Sequence, residues 1–92
     1  MSREVVREVE IRNRLGLHAR AAAAFVQVAG RYRAEVTVEL DNAAVDGKSL
    51  LGLLTLGASQ GKRIRLRGRG EMAEELVAAL AALVEGRFGE KE

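Results

Sequence analysis

Polar and apolar residues alternate along three stretches of the chain and follow a helical spacing along two others. Alternation predicts β-strands, because successive side chains of a strand point to opposite faces, and it covers 4–12, 34–40 and 62–69. The turn signal Asp41-Asn42 predicts that 43–45 returns as a further short strand. Apolar residues spaced three and four apart predict helices over 19–29 and 71–84, and a short apolar run up to about Leu56 predicts a third. This order predicts an α+β fold in which an antiparallel sheet carries the helices on one face.

The apolar sides of these segments supply the predicted core. The strongest inward positions are Val9, Ile11, Val36, Val38, Leu40, Ile64 and Leu66 on strands, and Ala22, Phe25, Ala73, Leu76, Val77, Leu80 and Leu83 on helices. The short helix carries five leucines, more than one helical face can bury. Its spacing places Leu50 and Leu53 inward, with Leu54 or Leu56 as the third inward residue, and leaves Leu51 exposed.

Four arginines alternate along the last strand, at Arg63, Arg65, Arg67 and Arg69. Such a row can bind nucleic acid phosphates, or it can pair with carboxylates of neighbouring strands. The first two strands have outward carboxylates at Glu8, Glu10, Glu35 and Glu39. We favour pairing, which requires the last strand to lie between the first two and predicts the sheet order 1-4-2-3.

The composition fits a small globular protein. The 92 residues suffice for one core, so we place one domain over 1–92. The formal net charge is +2, only three residues are aromatic, and cysteine is absent, which excludes disulfides and thiolate catalysis. No apolar run approaches the length of about 20 residues needed to cross a membrane. We expect a cytoplasmic protein.

The single histidine, His18, lies between the turn Leu15-Gly16-Leu17 and the start of the first helix. The backbone N–H groups of a first helical turn lack intrahelical acceptors and attract anions. The usual capping residues Ser, Thr, Asp and Asn are absent from 15–19, so we expect these N–H groups to be free. Arg20 adds a guanidinium that suits phosphate oxygens. This position favours reversible attachment of a phosphoryl group to His18.

The sequence contains no further catalytic machinery. It has no Walker-type loop and no clear set of Mg²⁺ carboxylates. A second histidine or a cysteine ligand is also absent, so we expect no metal at His18 and no cofactor. These features predict a carrier whose partners supply the chemistry, not a stand-alone enzyme.

Two segments, GLHAR at 16–20 and KSLLGLLTLGASQG at 48–61, resemble the signatures of HPr, the histidine-containing phosphocarrier family of the bacterial phosphoenolpyruvate-dependent phosphotransferase system. The resemblance implies an open-faced β-sandwich with three helices on one face. It implies that Enzyme I phosphorylates His18 on Nδ1, that Arg20 contacts the phosphoryl group, and that an EIIA protein or domain receives it. We expect no membrane insertion, and a monomer suits sequential docking to different partners.

Ser49 matches the serine that an HPr kinase/phosphorylase modifies in some bacteria, although a serine before an apolar run is also a good helix cap. The resemblance further implies partner docking on the first two helices. We call this the docking surface and assign to it Ala24, Gln27, Lys48, Leu50, Leu51 and Leu54. Alternatives are a short helix buried on several sides, a regulatory adaptor in which phospho-Ser49 binds a transcription regulator, and a small nucleic-acid-binding domain.

The chain departs from many family members at two positions beside the histidine. Ala21 replaces a proline, and Leu15 replaces an asparagine or serine, which bears on the choice between the sugar-uptake and the nitrogen-type branch. In some members the C-terminal carboxylate lies near the histidine. Here the tail GRFGEKE continues past the last helix, so we do not expect that arrangement.

Overall fold

The computed structural model describes residues 4–92. Along the chain it contains β1 (Glu4–Glu10), α1 (Ala19–Ala29), β2 (Glu35–Leu40), β3 (Ala43–Asp46), α2 (Leu50–Leu56), β4 (Arg63–Arg69), α3 (Ala73–Glu85) and a short 3₁₀ turn (Arg87–Gly89). The strands form one antiparallel sheet in the order β1-β4-β2-β3. The predicted fold class and the predicted order 1-4-2-3 are therefore confirmed.

The arginine row of β4 is paired within the sheet. In the register, Arg65 lies opposite Glu8 on one side and Glu39 on the other. Each arginine contacts at least one carboxylate, through the pairs Arg63–Glu8, Arg63–Glu10, Arg65–Glu39, Arg67–Glu39, Arg67–Glu4 and Arg69–Glu35. The pairing interpretation is confirmed, and this face carries both signs of charge instead of a basic surface.

The helices cover the other face of the sheet and enclose the core. Phe25 of α1, Leu53 of α2 and Leu76 of α3 are fully buried against strand residues such as Ile64 and Leu66. Predicted inward residues are buried except Leu40, Leu56 and Leu83, which are partly buried, and Leu50, which is exposed. The core therefore follows the apolar pattern closely.

The position of Leu50 was predicted wrongly. Its side chain is 43% exposed, whereas Leu53 is buried and Leu56 is partly buried. The helix has only seven residues and begins at Leu50. Its first residue therefore lies at the margin of the layer, and the central Leu53 takes the inward position. Leu51 is exposed, as predicted, and so is Leu54.

Within residues 4–92, no helix is both long enough and apolar enough to cross a membrane.

Candidate functional site

The loop before α1 is tightly fitted to the loop that follows α2. Gly16 has a φ of 68°, and a Cβ placed there would lie 2.7 Å from the carbonyl oxygen of Ala58. The next residue, Leu17, donates its N–H to that same oxygen at 2.9 Å. Because L side chains rarely adopt this φ, glycine alone satisfies both the backbone conformation and the close approach. This contact fixes the position of the residues that lead into α1.

His18 is the N-cap residue of α1. Its backbone is extended, with φ −77° and ψ 178°, and its carbonyl accepts the first helical hydrogen bond from the N–H of Ala22 at 2.8 Å. The imidazole Nδ1 accepts a hydrogen bond from the N–H of Arg20 at 3.3 Å. The expectation that the first-turn N–H groups are all free was therefore wrong, because the histidine ring itself serves as the cap.

The other ring nitrogen of His18 faces a carboxylate from the C-terminal tail. Nε2 hydrogen-bonds to Oε2 of Glu90, and both side chains are about three-quarters buried, with 24% and 20% of their surface exposed. Since Nδ1 accepts a hydrogen bond, it carries no proton, so the neutral ring holds its proton on Nε2 and donates it to Glu90. The tail does return to the histidine, contrary to the sequence expectation, through a side chain.

Asn13 holds the carboxylate of Glu90 in place. It is fully buried, and its Nδ2 donates to the carbonyl oxygen of Gly16 at 2.8 Å and to Oε1 of Glu90 at 3.0 Å. Both partners are acceptors, so the amide nitrogen must face them. Oδ1 of Asn13 is buried without a hydrogen-bond partner among the described residues, which costs free energy. Turning the amide over would place this oxygen against two acceptors and lose both hydrogen bonds of Nδ2.

The charges around the site favour an ionised Glu90. The hydrogen bond from His18 lowers the pKa of Glu90 most, followed by that from Asn13, and the charge of Arg20 lowers it further. A cavity of about 380 Å³ opens beside the ring, lined by Arg14, Leu15, His18, Arg20, Glu90, Lys91 and Glu92. Within the described part of the chain, no three His, Cys, Asp or Glu side chains are grouped to hold a metal ion.

Ser49 is the N-cap of α2. Its Oγ accepts the N–H of Gly52 at 3.0 Å, and the side chain is partly exposed. The neighbouring Lys48 donates from Nζ to the carbonyl oxygen of Tyr32 at 3.1 Å. The capping interpretation of Ser49 is confirmed, while its phosphorylation stays a prediction.

The assigned docking surface lies on α1, on α2 and on Lys48 just before α2, and the two helices pack against each other. Its apolar members Leu50, Leu51 and Leu54 are 43%, 74% and 39% exposed. Gln27 and Lys48 are exposed, and Ala24 is partly buried. The structure thus leaves apolar area of α2 open, which argues against a short helix buried on several sides.

Sequence reasoning missed three residues of the site. Leu15 is 68% exposed and lines the cavity next to the histidine, yet the sequence marked it only as a departure from the family. Asn13 could have been noticed as an asparagine at the end of an apolar strand pattern. Glu90 had no signal, because 72 positions separate it from His18.

Known proteins resemble this chain over most of its length. The sequence model described as "PTS HPr component phosphorylation site" matches residues 5–86. The phosphocarrier protein HPr of Pseudomonas aeruginosa is 46% identical over 86 residues, spanning 92% of this chain and 96% of the relative. The phosphocarrier protein NPr of Shewanella violacea is 42% identical over 84 residues, spanning 91% and 92%.

Among solved structures, HPr-C-His from Thermoanaerobacter tengcongensis superimposes with a TM-score of 0.89 at 44% identity, covering 98% of this chain and 99% of that one. These matches, together with the sheet order and the capping histidine, are sufficient to assign the class. The chain belongs to the HPr family, the phosphocarrier proteins of the phosphotransferase system.

Proposed function

We propose that His18 accepts a phosphoryl group on Nδ1 from phosphorylated Enzyme I and passes it to an EIIA protein or domain. The observation that carries this proposal is the state of the ring. Nδ1 is unprotonated and points to the N-terminus of α1, while Nε2 is hydrogen-bonded to Glu90. An unprotonated imidazole nitrogen is a good nucleophile near neutral pH.

The transfer is an exchange of one bond to phosphorus for another. The lone pair of Nδ1 forms the N–P bond, and the bond between phosphorus and the donor breaks with its electron pair going to the donor. The Arg20 N–H, which Nδ1 accepts at 3.3 Å, then turns to a phosphoryl oxygen. The partial positive charge of the helix N-terminus favours the dianionic group, and the exposed Arg20 guanidinium suits its oxygens.

Partner binding is assigned to the docking surface, with Leu15 added to it. The exposed leucines of α2 and Leu15 supply apolar contact area near the reactive ring, and such patches are typical of protein interaction sites. The carrier would act as a cytoplasmic monomer, so that one surface can engage Enzyme I and EIIA in succession.

Phosphorylation of Ser49 is a second, regulatory proposal. Ser49 is partly exposed and lies at the start of α2, between Lys48 and Leu50 of the docking surface. A phosphate there adds negative charge between Lys48 and Leu50, which would change partner choice and could recruit a transcription regulator. The side chain of Lys48 would have to leave the Tyr32 carbonyl to contact the phosphate.

The test of the carrier function is phosphorylation by the cognate Enzyme I and phosphoenolpyruvate. We expect a mass increase of one phosphate that is lost in acid, and transfer of that phosphate to the cognate EIIA. His18→Ala should remain unlabelled, whereas Glu71→Gln, an exposed change before α3, should be labelled as the parent is. Labelling of the His18→Ala protein would refute the proposal.

A further inference from the structure

We propose that Glu90 is a positioning residue for His18, which it holds together with Asn13 so that Nδ1 stays unprotonated and faces the incoming phosphorus. This inference rests on the proposed carrier function and assigns a role to two residues outside the GLHAR segment. The tail carboxylate, and not α1 alone, then determines which ring nitrogen is the nucleophile.

The hydrogen bonds form one connected chain. Asn13 donates to Gly16 in the loop and to Oε1 of Glu90, and Oε2 of Glu90 accepts from Nε2 of His18. Each carboxylate oxygen therefore has its own donor, and the carboxylate cannot rotate without losing both. A carboxylate that accepts an imidazole N–H fixes the tautomer and the ring orientation, as in hydrolase triads.

The path of the tail supports a held position for Glu90. Arg87, Phe88 and Gly89 all have positive φ, at 59°, 55° and 79°, and for non-glycine residues this conformation costs energy. Phe88 is partly buried against the core on one side of this turn. On the other side, Glu90 contacts the site, and Arg14 pairs with Glu92 at 3.2 Å. The contacts of Phe88 and those of Glu90 and Glu92 therefore hold the turn in this unfavourable backbone conformation.

The arrangement also suits the charge that develops during transfer. When Nδ1 forms the N–P bond, the ring keeps the proton on Nε2 and becomes positively charged. That proton faces the carboxylate of Glu90, which stabilises the charged ring. When the phosphoryl group leaves, the electron pair of the N–P bond stays on Nδ1 and the ring is neutral again. No proton has to enter or leave the site.

The experiment combines NMR of ¹⁵N-labelled histidine with phosphotransfer rates for the full chain. In the parent protein we expect the neutral ring to carry its proton on Nε2. In Glu90→Gln the side chain has one acceptor oxygen, so its NH₂ group must face either Asn13 or His18. When the NH₂ group faces Nε2 of His18, that nitrogen must be unprotonated. The ring proton should therefore move in part to Nδ1. We expect the transfer rate to fall about tenfold, which corresponds to about 1.4 kcal/mol, and Glu90→Asp to recover part of that loss.

Glu85→Gln is the matched control, because Glu85 is a partly exposed carboxylate at the end of α3 that pairs with Arg7. It should change neither the tautomer nor the rate. An unchanged tautomer in both Glu90→Gln and Glu90→Ala would overturn the inference, and so would a changed tautomer with an unchanged rate. A parent protein that is never labelled at His18 would instead refute the carrier function, and the NMR arm would still decide whether Glu90 holds the ring.

Discussion

Leu17 donates its N–H to the carbonyl oxygen of Ala58 at 2.9 Å, and this bond joins the loop that carries His18 to the loop that follows α2. Both residues are buried, with 5% and 3% of their surface exposed. The reactive ring is therefore positioned from two sides, by this contact and by the tail residue Glu90. The helix that follows contributes the N–H of Arg20, which caps Nδ1, and the N–H of Ala22, which bonds to the His18 carbonyl. Changes remote from His18 in sequence should consequently alter its chemistry.

Gly16→Ala tests the contact between the two loops. A Cβ at Gly16 would lie 2.7 Å from the Ala58 oxygen, whereas a Cβ at Gly57, which has almost the same φ of 66°, has no neighbour closer than 3.9 Å. Both alanine variants should lose about 1 kcal/mol for the left-handed conformation. Gly16→Ala should lose about 1–3 kcal/mol more and transfer phosphate more slowly. Urea unfolding measures the difference in unfolding free energy between the two variants. Equal losses would show that the loop around Ala58 moves to accommodate the new Cβ without further loss of stability.

Asn13→Ala tests whether the buried amide ties the tail to the site. The change removes the Asn13 donor of Glu90 Oε1 and one of the two donors of the Gly16 oxygen, which keeps the His18 N–H at 2.9 Å. We therefore expect a loss of about 1–3 kcal/mol in the free energy of unfolding. Hydrogen exchange at 87–92 should become faster. Gln60→Ala is the control, since its exposed amide donates to the Arg12 oxygen at 3.2 Å and should cost little. Unchanged exchange in the tail would contradict the role of Asn13.

Acid should remove the stabilisation that Glu90 provides. The hydrogen bond from His18 lowers the pKa of Glu90 below its ordinary value of 4.5. A carboxyl group whose pKa is lower in the folded state stabilises above its unfolded pKa, and this contribution is lost as the pH falls through the folded pKa. The parent should therefore exceed Glu90→Gln in unfolding free energy at neutral pH, and the two should converge below pH 4.5. A difference that does not depend on pH would show that Glu90 acts through packing.

Much of the fold could be predicted from local sequence patterns, but the site could be predicted only in part. Alternation along β4 placed its arginines on one face, and the carboxylates of β1 and β2 then determined the sheet order. The capping position of His18 was also readable, because a turn precedes it and a helix follows. The contact with Glu90 was not readable, since it depends on left-handed backbone at Arg87 and Phe88. Neither residue type signals that conformation, and no periodic pattern extends into the tail.

Ser49 variants separate capping from regulation. Ser49→Ala removes the acceptor of the Gly52 N–H, bonded at 3.0 Å, and should cost about 1 kcal/mol of unfolding free energy. Ser49→Asp keeps a cap and should be close to the parent in stability. If phosphorylation regulates docking, the aspartate should nevertheless weaken transfer from Enzyme I, while the alanine should not. If the transfer rate of each variant changes only in proportion to its unfolding free energy, Ser49 has a capping role alone.

Two members of the alanine run at the start of α1 allow a matched test. Ala21 is buried in the first turn at 1% exposure, whereas Ala23 is exposed. Glycine at either position should cost about 1 kcal/mol in helix propensity, and Ala21→Gly should cost more because it also removes a buried methyl group. Per folded molecule, Ala21→Gly should slow phosphotransfer, since a looser first turn misplaces the Arg20 N–H that caps Nδ1, while Ala23→Gly should not. The measurement is the transfer rate corrected for the folded fraction from urea unfolding. Equal corrected rates for the two variants would mean that the alanines support the helix and leave the ring to be positioned by Gly16, Asn13 and Glu90.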